Sequence, residues 1–459
     1  MSNHNQPIPV FVVNLKKRED RRKHIVNEFS GYGEYCVRLV EAIESERGTR
    51  GLWETIKKVI RSQAGTNEDF IFICEDDHQF TADYSWDFLG DCIREAMKLD
   101  ADILLGGISS AKRALPITGA LWWVDDFSGF QFTVLFRKFF QVILDAQFEE
   151  NDAVDHKIAS ITENKFFVYP FISTQRDFGY SDVTPQNNEE GRVDALFAQT
   201  AESILQLSRV NSFYSTPPSP IPEYLVESLN KIALPVYVIN LPERRDRLEH
   251  ILSQFSGRKE FEVTIVEASK HKRGAAGLWA SIRRIIQMAE PTEEDLIIIC
   301  EDDHTFTEHY DSEQFIRNII EAYFQGTDIL VGGACGGFIH AIPVSEKRFW
   351  ISHFYCTQFI VIYRSLFKRI LDEPFDDELL TADGLLSDIT SNKQVLFPFI
   401  SVQRDFGYSD VTSSNNLVKG RVEQMFETGR ERLEAIQKAA MKRVRSDYLP
   451  PTDTDLTKL

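Results

Sequence analysis

Apolar residues along the chain fall into two recurring spacings. Val10–Leu15 and Phe70–Cys74 are apolar runs of strand length, and Val37–Ala42 reads as a further strand. Between them, Arg18–Phe29 has helical character. In Leu52–Ser62 the apolar positions Leu52, Ile56, Val59 and Ile60 recur at the three-to-four-residue spacing of one helix face. A continuous apolar strand suits the centre of a sheet covered on both sides, as helices cover a parallel sheet. Alternating strands and helices therefore predict an α/β domain with a mostly parallel sheet. Ligands of such sheets sit at the C-terminal ends of the strands.

The pattern occurs twice. Val10-Phe-Val-Val-Asn-Leu15 returns as Val236-Tyr-Val-Ile-Asn-Leu241, Gly51-Leu-Trp53 as Gly277-Leu-Trp279, and Cys74-Glu-Asp-Asp-His78 as Cys300-Glu-Asp-Asp-His304, all at one offset. Asp102-Ile-Leu-Leu-Gly-Gly107 matches Asp328-Ile-Leu-Val-Gly-Gly333, and the ten residues Gln175–Thr184 recur unchanged as Gln403–Thr412. The repeat is far longer than the roughly 20–50 residues of a solenoid unit, so each copy is a whole domain. The expected division is residues 1–210, a Pro- and Ser-rich linker over 211–231, a second domain over 232–445 and a tail over 446–459.

Composition narrows the partners. The chain has 459 residues, 43% of them hydrophobic, which is enough for ordinary buried cores. Its 51 Lys and Arg against 70 Asp and Glu give a net charge of −19, which opposes a nucleic-acid partner unless a basic patch exists locally. A nucleic-acid acceptor is accordingly the minority reading. No apolar run is long enough for a membrane-spanning helix, and Met1–Pro7 lacks the pattern of a secretion signal. Six cysteines without a Cys-x-x-Cys pair suggest neither a zinc site nor a disulfide scaffold, so the expected compartment is the cytoplasm.

The strongest chemical signal is the acidic triplet closing a buried strand: Glu75, Asp76 and Asp77, repeated as Glu301, Asp302 and Asp303. Adjacent carboxylates repel, and a hard divalent cation, Mn²⁺ or Mg²⁺, is the expected partner, shared with substrate phosphates. A solvated acidic loop is the structural alternative. His78 and His304, which follow the acids, are expected to pack or to orient a carboxylate rather than to ligate.

Three further positions repeat. Asn14, Arg18 and Arg21, with Asn240, Arg244 and Arg247, lie where a strand end enters a helix. They suit either a nucleotide pocket or helix-start chemistry. Asp182 and Asp410, inside the identical ten-residue block, are candidates for completing a metal or donor-sugar site. Asp155 and Asp383 precede short amphipathic segments, where a carboxylate serves either as a general base or as a helix cap.

Taken together, these motifs resemble glycosyltransferase family 25, the lipopolysaccharide-type and collagen-galactosyltransferase-like enzymes. The carriers are the opening Val-Val-Asn-Leu-x-x-Arg-x-Asp-Arg, the strand ending in Glu-Asp-Asp, the later Asp, and the closing Gln…Ser-Asp-Val. The resemblance implies two tandem GT-A-like (Rossmann-like) domains, a nucleotide-sugar donor that is UDP-linked, and a Mn²⁺ ion. It implies inverting transfer of a hexose or related sugar to a hydroxyl acceptor on a glycan or glycoconjugate. By the same resemblance the acidic triplets hold the metal–diphosphate and Asp155 and Asp383 are bases. The Asn–Arg–Arg sets lie on the nucleotide side, and Glu41 and Glu267 end the strand that holds base and ribose.

The copies differ after their Gly-Gly pairs. Ser109–Asp126 carries Lys112, Arg113, Trp122 and Trp123, whereas Cys335–His353 carries Gly336, Gly337, His340 and Trp350. Like donor machinery with unlike loops predicts two acceptors and two sequential transfers. The alternative is one catalytic copy beside a non-catalytic saccharide- or nucleotide-binding module. Trp123 and Trp350 are expected either to stack on a sugar or to fill the core. A nucleotidyltransferase would normally show a glycine- and lysine-rich phosphate loop near the first strand, and none is present.

Overall fold

The computed structural model describes residues 7–180, 189–215, 221–223, 229–376, 379–407 and 420–448. The chain divides into two compact units, one comprising residues 1–209 with 438–459 and the other residues 210–437. The C-terminal helix, Arg421–Tyr448, begins in the second unit and ends in the first.

In the first unit the strands are β1 (Ile8–Asn14), β2 (Tyr35–Glu41), β3 (Phe70–Glu75), β4 (His78–Phe80), β5 (Ile103–Leu105), β6 (Ser110–Pro116), β7 (Leu121–Ser128), β8 (Phe132–Phe136), β9 (Lys165–Val168) and β10 (Ser173–Gln175). Eight of them form one sheet in the order β2-β1-β3-β8-β5-β9-β7-β6, while β4 pairs with β10. Only β8 and β7 run against the other six, so the sheet is mostly parallel as the alternation predicts. From β1 the chain steps outward to β2 and returns to β3 on the other side of β1. This reversal opens a crevice at the C-terminal ends of β1 and β3.

The helices are α1 (Glu19–Glu28), α2 (Gly48–Gln63), α3 (Trp86–Lys98), α4 (Phe140–Asp145), α5 (Val154–Ser160) and α6 (Arg192–Tyr214). Of the positions that predict α2, Ile56, Val59 and Ile60 are buried while Leu52 is half-buried at the cleft; Trp53 is buried beside them and stacks on Phe148 at 5.0 Å. Because α6 continues through Tyr214, the expected linker from residue 211 begins inside a helix. Trp123 and Trp350 belong to the core rather than to a ligand surface. Each is buried, and each indole N–H donates to a backbone carbonyl, that of Glu163 at 2.9 Å and that of Ser391 at 2.7 Å.

The second unit repeats this plan. Its strands are β11 (Leu234–Asn240), β12 (Phe261–Glu267), β13 (Leu296–Glu301), β14 (His304–Phe306), β15 (Ile329–Val331), β16 (Ala341–Pro343), β17 (Arg348–Ile351), β18 (Phe359–Tyr363), β19 (Lys393–Leu396) and β20 (Ser401–Gln403). They form the sheet β12-β11-β13-β18-β15-β19-β17-β16 and the pair β14-β20. The largest departure is the outer hairpin. In the first unit β6 and β7 pair from Ser110↔Ser128 through Lys112↔Asp126 to Pro116↔Trp122, whereas β16 and β17 keep only Ala341↔Ile351 to Pro343↔Phe349. A disulfide between Cys335 and Cys356 stands beside the shortened ladder. The cysteine pattern does not predict this bond, since two of six cysteines separated by 21 positions carry no spacing signature.

Candidate functional site

The crevice of the first unit is a cleft of about 710 Å³. Its floor is the end of β3, Glu75, followed by Asp76 and Asp77; one wall is Lys17, Arg18 and Arg21; another is Ala42–Glu46; the far side carries Ser128, Gly129, Asp155 and His156. The topology accounts for this convergence, because β1, β2 and β3 all end here and α1 starts beside them.

The acids do not share one role. Asp76 is buried, and Asn14 Nδ2 donates to its Oδ2 at 2.8 Å while Arg21 Nη1 donates to its Oδ1 at 3.2 Å. Arg18 lies 3.8 Å from the same oxygen. Arg21 also donates to Asp77 Oδ2 at 2.8 Å and to the Tyr180 carbonyl at 2.6 Å, and its guanidinium sits 4.8 Å from the ring centres of both Phe178 and Tyr180. The second copy repeats the frame. Asn240 and Arg247 donate to Asp302 at 2.9 and 3.0 Å, Arg247 donates to Asp303 at 3.2 Å, and Phe406 lies under Arg247 at 4.8 Å. Much of the triplet's negative charge is therefore met by arginine.

The flanking acids remain electrostatically exposed to one another. Burial pushes the Glu75 carboxyl well above its ordinary range, and Asp77, Asp76 and Asp155 push it further. Burial likewise raises Asp77 against the opposing pull of Arg21. In the second copy burial and Asp303 raise Glu301 to about 8, although Thr357 Oγ1 donates to it at 2.7 Å; burial raises Asp303 to about 6. Among the described residues no three His, Cys, Asp or Glu side chains gather so as to hold a metal ion by themselves. A cation held by one or two carboxylates and completed by phosphate oxygens is a different case. Asp303 Oδ1, buried without a hydrogen-bond partner, fits that case, because an orphaned carboxylate oxygen favours a cation. The fit is to Glu301 with Asp303; Glu75 and Asp77 hold the equivalent places in the first copy, where Asp77 Oδ1 accepts only a long bond from Gln175 Nε2 at 3.5 Å, whereas Asp76 and Asp302 have both oxygens committed.

His78 and His304 are core residues. His78 Nδ1 bonds Ser173 Oγ at 2.8 Å and its ring stacks on Phe132 at 4.7 Å; His304 bonds Ser401 at 2.7 Å and stacks on Phe359 at 4.8 Å. Burial drives the pKa of His78 down to about 3 and that of His304 well below its ordinary value.

Asp155 lies in the first turn of α5, one residue after its start, and Ala153 occupies the cap position. Its oxygens accept the Gly129 amide at 3.3 Å and the His156 amide at 2.9 Å. Asp383 likewise accepts the amides of Cys356 at 3.2 Å and Gly384 at 2.9 Å. Gly129 and Cys356 are structural equivalents with positive φ, 108° and 77°, a region that glycine tolerates and cysteine disfavours.

Glu41 ends β2 but does not line the cleft; the wall there is Ala42–Glu46. Glu267 ends β12 in the same way. Asp182 and Asp410 lie outside the described residues. Sequence reasoning misses Phe178 and Tyr180, whose signal is the identical block that contains them, and it misses the pairing of His156 with Asp126.

No protein-family model matches the chain, and no curated protein matches it. Among solved structures it is similar to an apo UDP-glucose pyrophosphorylase, with 8% identity over 43% of this chain and 81% of that one and a TM-score of 0.25. It is similar to HddC from Yersinia pseudotuberculosis, with 8% identity over 46% and 84% and a TM-score of 0.25. It is also similar to the glycosyltransferase GlyE from Streptococcus pneumoniae TIGR4, with 10% identity over 57% and 75% and a TM-score of 0.24. Likenesses this distant carry no function to this chain.

Proposed function

We propose that the chain is a glycosyltransferase that uses a nucleotide sugar, UDP-linked by the resemblance of its motifs, with the first-unit cleft as a working site. The observation that carries this reading is the strand-end cleft itself, which brings Glu75 and Asp77 together with Arg18, Arg21 and Asp155 around about 710 Å³. That volume lies within the ~300–1,000 Å³ of small-molecule sites.

In this reading the diphosphate lies between the Arg18 side of the cleft and the acids of β3. A Mn²⁺ or Mg²⁺ ion held by Glu75 and Asp77 would neutralise charge developing on the leaving diphosphate. Arg21, fixed by Asp76 and the Tyr180 carbonyl, keeps Asp77 in place. Asp155, held by two backbone amides, engages the acceptor hydroxyl opposite the leaving group, which gives inversion at the anomeric carbon. Preorganised charge around the leaving group supplies the largest share of the rate.

The second copy retains Asn240, Arg244, Arg247, Glu301, Asp303 and Asp383 but changes the loops beside them. It therefore acts on a different acceptor or serves as a binding module. The test is a donor screen that measures UDP release in the presence of Mn²⁺, with Asp77→Asn and Asp303→Asn beside the parent protein. Loss of release in Asp77→Asn alone assigns turnover to the first copy. Saccharide binding without release from any nucleotide sugar overturns the enzymatic reading.

A further inference from the structure

The rim of the first cleft carries a histidine–carboxylate pair that the motif set does not contain. His156 lines the cleft next to Asp155. Its Nδ1 lies 2.7 Å from Asp126 Oδ1, on β7. Asp126 accepts a second bond from Lys112 Nζ at 2.7 Å, across the β6–β7 register pair Lys112↔Asp126. Burial pushes the Asp126 carboxyl up, but Lys112 and His156 outweigh it and hold it below its ordinary range. A carboxylate only accepts, so Nδ1 carries the hydrogen, and Nε2 is the ring nitrogen left to take a proton.

We infer that His156 is the group in the first copy that takes the acceptor's proton, with Asp126 as its positioning residue. The inference rests on the glycosyltransferase reading. In the step, the acceptor oxygen forms a bond to the anomeric carbon as the bond from that carbon to the diphosphate oxygen breaks. The hydroxyl proton passes to His156 Nε2, and the bonding pair of the broken bond leaves with the diphosphate. Asp126 remains ionised and stabilises the imidazolium, as a carboxylate does for any histidine base it orients. Asp155, whose two oxygens already accept amides, orients the hydroxyl.

The second copy lacks the pair. Gly384 follows Asp383 where His156 follows Asp155. His353 stands near the position of Asp126; its Nδ1 bonds Ser387 Oγ at 2.8 Å and lies 3.4 Å from Asp388, so the histidine there takes the place of the carboxylate rather than following Asp383. The shortened hairpin removes the ladder position that presents Asp126. The two copies thus share the donor-side frame and differ in how a proton leaves the acceptor.

The test uses the full-length protein with UDP-glucose and UDP-galactose as donors, water as the acceptor and UDP as the binding probe. His156→Gln is expected to lower UDP release by about 100-fold or more with UDP affinity unchanged. His156→Ala should regain part of the rate with added imidazole. Asp126→Asn should lower kcat rather than raise KM. Release within threefold of the parent in His156→Gln, or no imidazole rescue of His156→Ala, overturns the inference and leaves the glycosyltransferase reading standing. A parent protein that neither binds UDP nor releases it overturns both.

Discussion

Asn14 Nδ2 donates to Asp76 Oδ2 at 2.8 Å, and Asn240 meets Asp302 in the same way at 2.9 Å. The bond ties the end of one central strand to the turn after its neighbour. Together with Arg21 it commits both oxygens of the middle acid, which makes that acid part of the frame that holds Glu75 and Asp77 at the cleft.

Arg21→Ala should unfold the first unit more readily than any surface change. It takes the nearer arginine from buried Asp76, leaving Arg18 at 3.8 Å, and removes the ion pair to Asp77, a loss of up to about 3–5 kcal/mol. Urea denaturation checks this, and Arg247→Ala should repeat the loss in the second unit.

Glu75→Gln and Asp77→Asn should reduce turnover with little loss of fold, because each keeps its shape and sheds a repelling charge. EDTA should depress UDP release from the parent, and added Mn²⁺ should restore it. Initial rates with and without chelator, beside a thermal melt, check both outcomes.

Cys335→Ser and Cys356→Gly both remove the disulfide, which closes a loop of sequence separation 21 and contributes roughly 3 kcal/mol by chain entropy. Cys356→Gly should cost less by about 1–2 kcal/mol, because glycine suits the φ of 77° at that position. Thermal melts of both variants and of the reduced parent provide the comparison.

Stability should decline as pH falls below about 6.5. The unfolded chain protonates its histidines there, while His78, held neutral by burial, resists until about 3. The folded state then binds fewer protons, so the loss runs at up to ~1.4 kcal/mol per pH unit for each buried histidine. His304 adds to it. Urea midpoints from pH 7 to 4 should slope less steeply in His78→Asn.

Much of this was legible in the sequence. The helical spacing of Leu52, Ile56, Val59 and Ile60 marks α2, and the apolar run Phe70–Cys74 marks the central strand. The repeat shows that the plan occurs twice. What the sequence conceals are partnerships between residues far apart in the chain. Asp76 reads as a ligand until Asn14 and Arg21 are seen on its two oxygens. Trp123 reads equally as a sugar platform or as core until its indole is found on the Glu163 carbonyl. His156 and Asp126 lie 30 positions apart with no motif around them, and the packing of α5 against β7 brings them together.

The shortened hairpin of the second unit has a consequence of its own. In the first unit the segment beside Gly129 is held by backbone bonds such as the Ser109 amide on the Ser128 carbonyl at 2.8 Å, and reductants leave such bonds untouched. In the second unit the equivalent segment is held through sulfur, at the residue whose amide holds Asp383. A thiol reductant would therefore act on one half of this duplicated molecule and leave its twin indifferent.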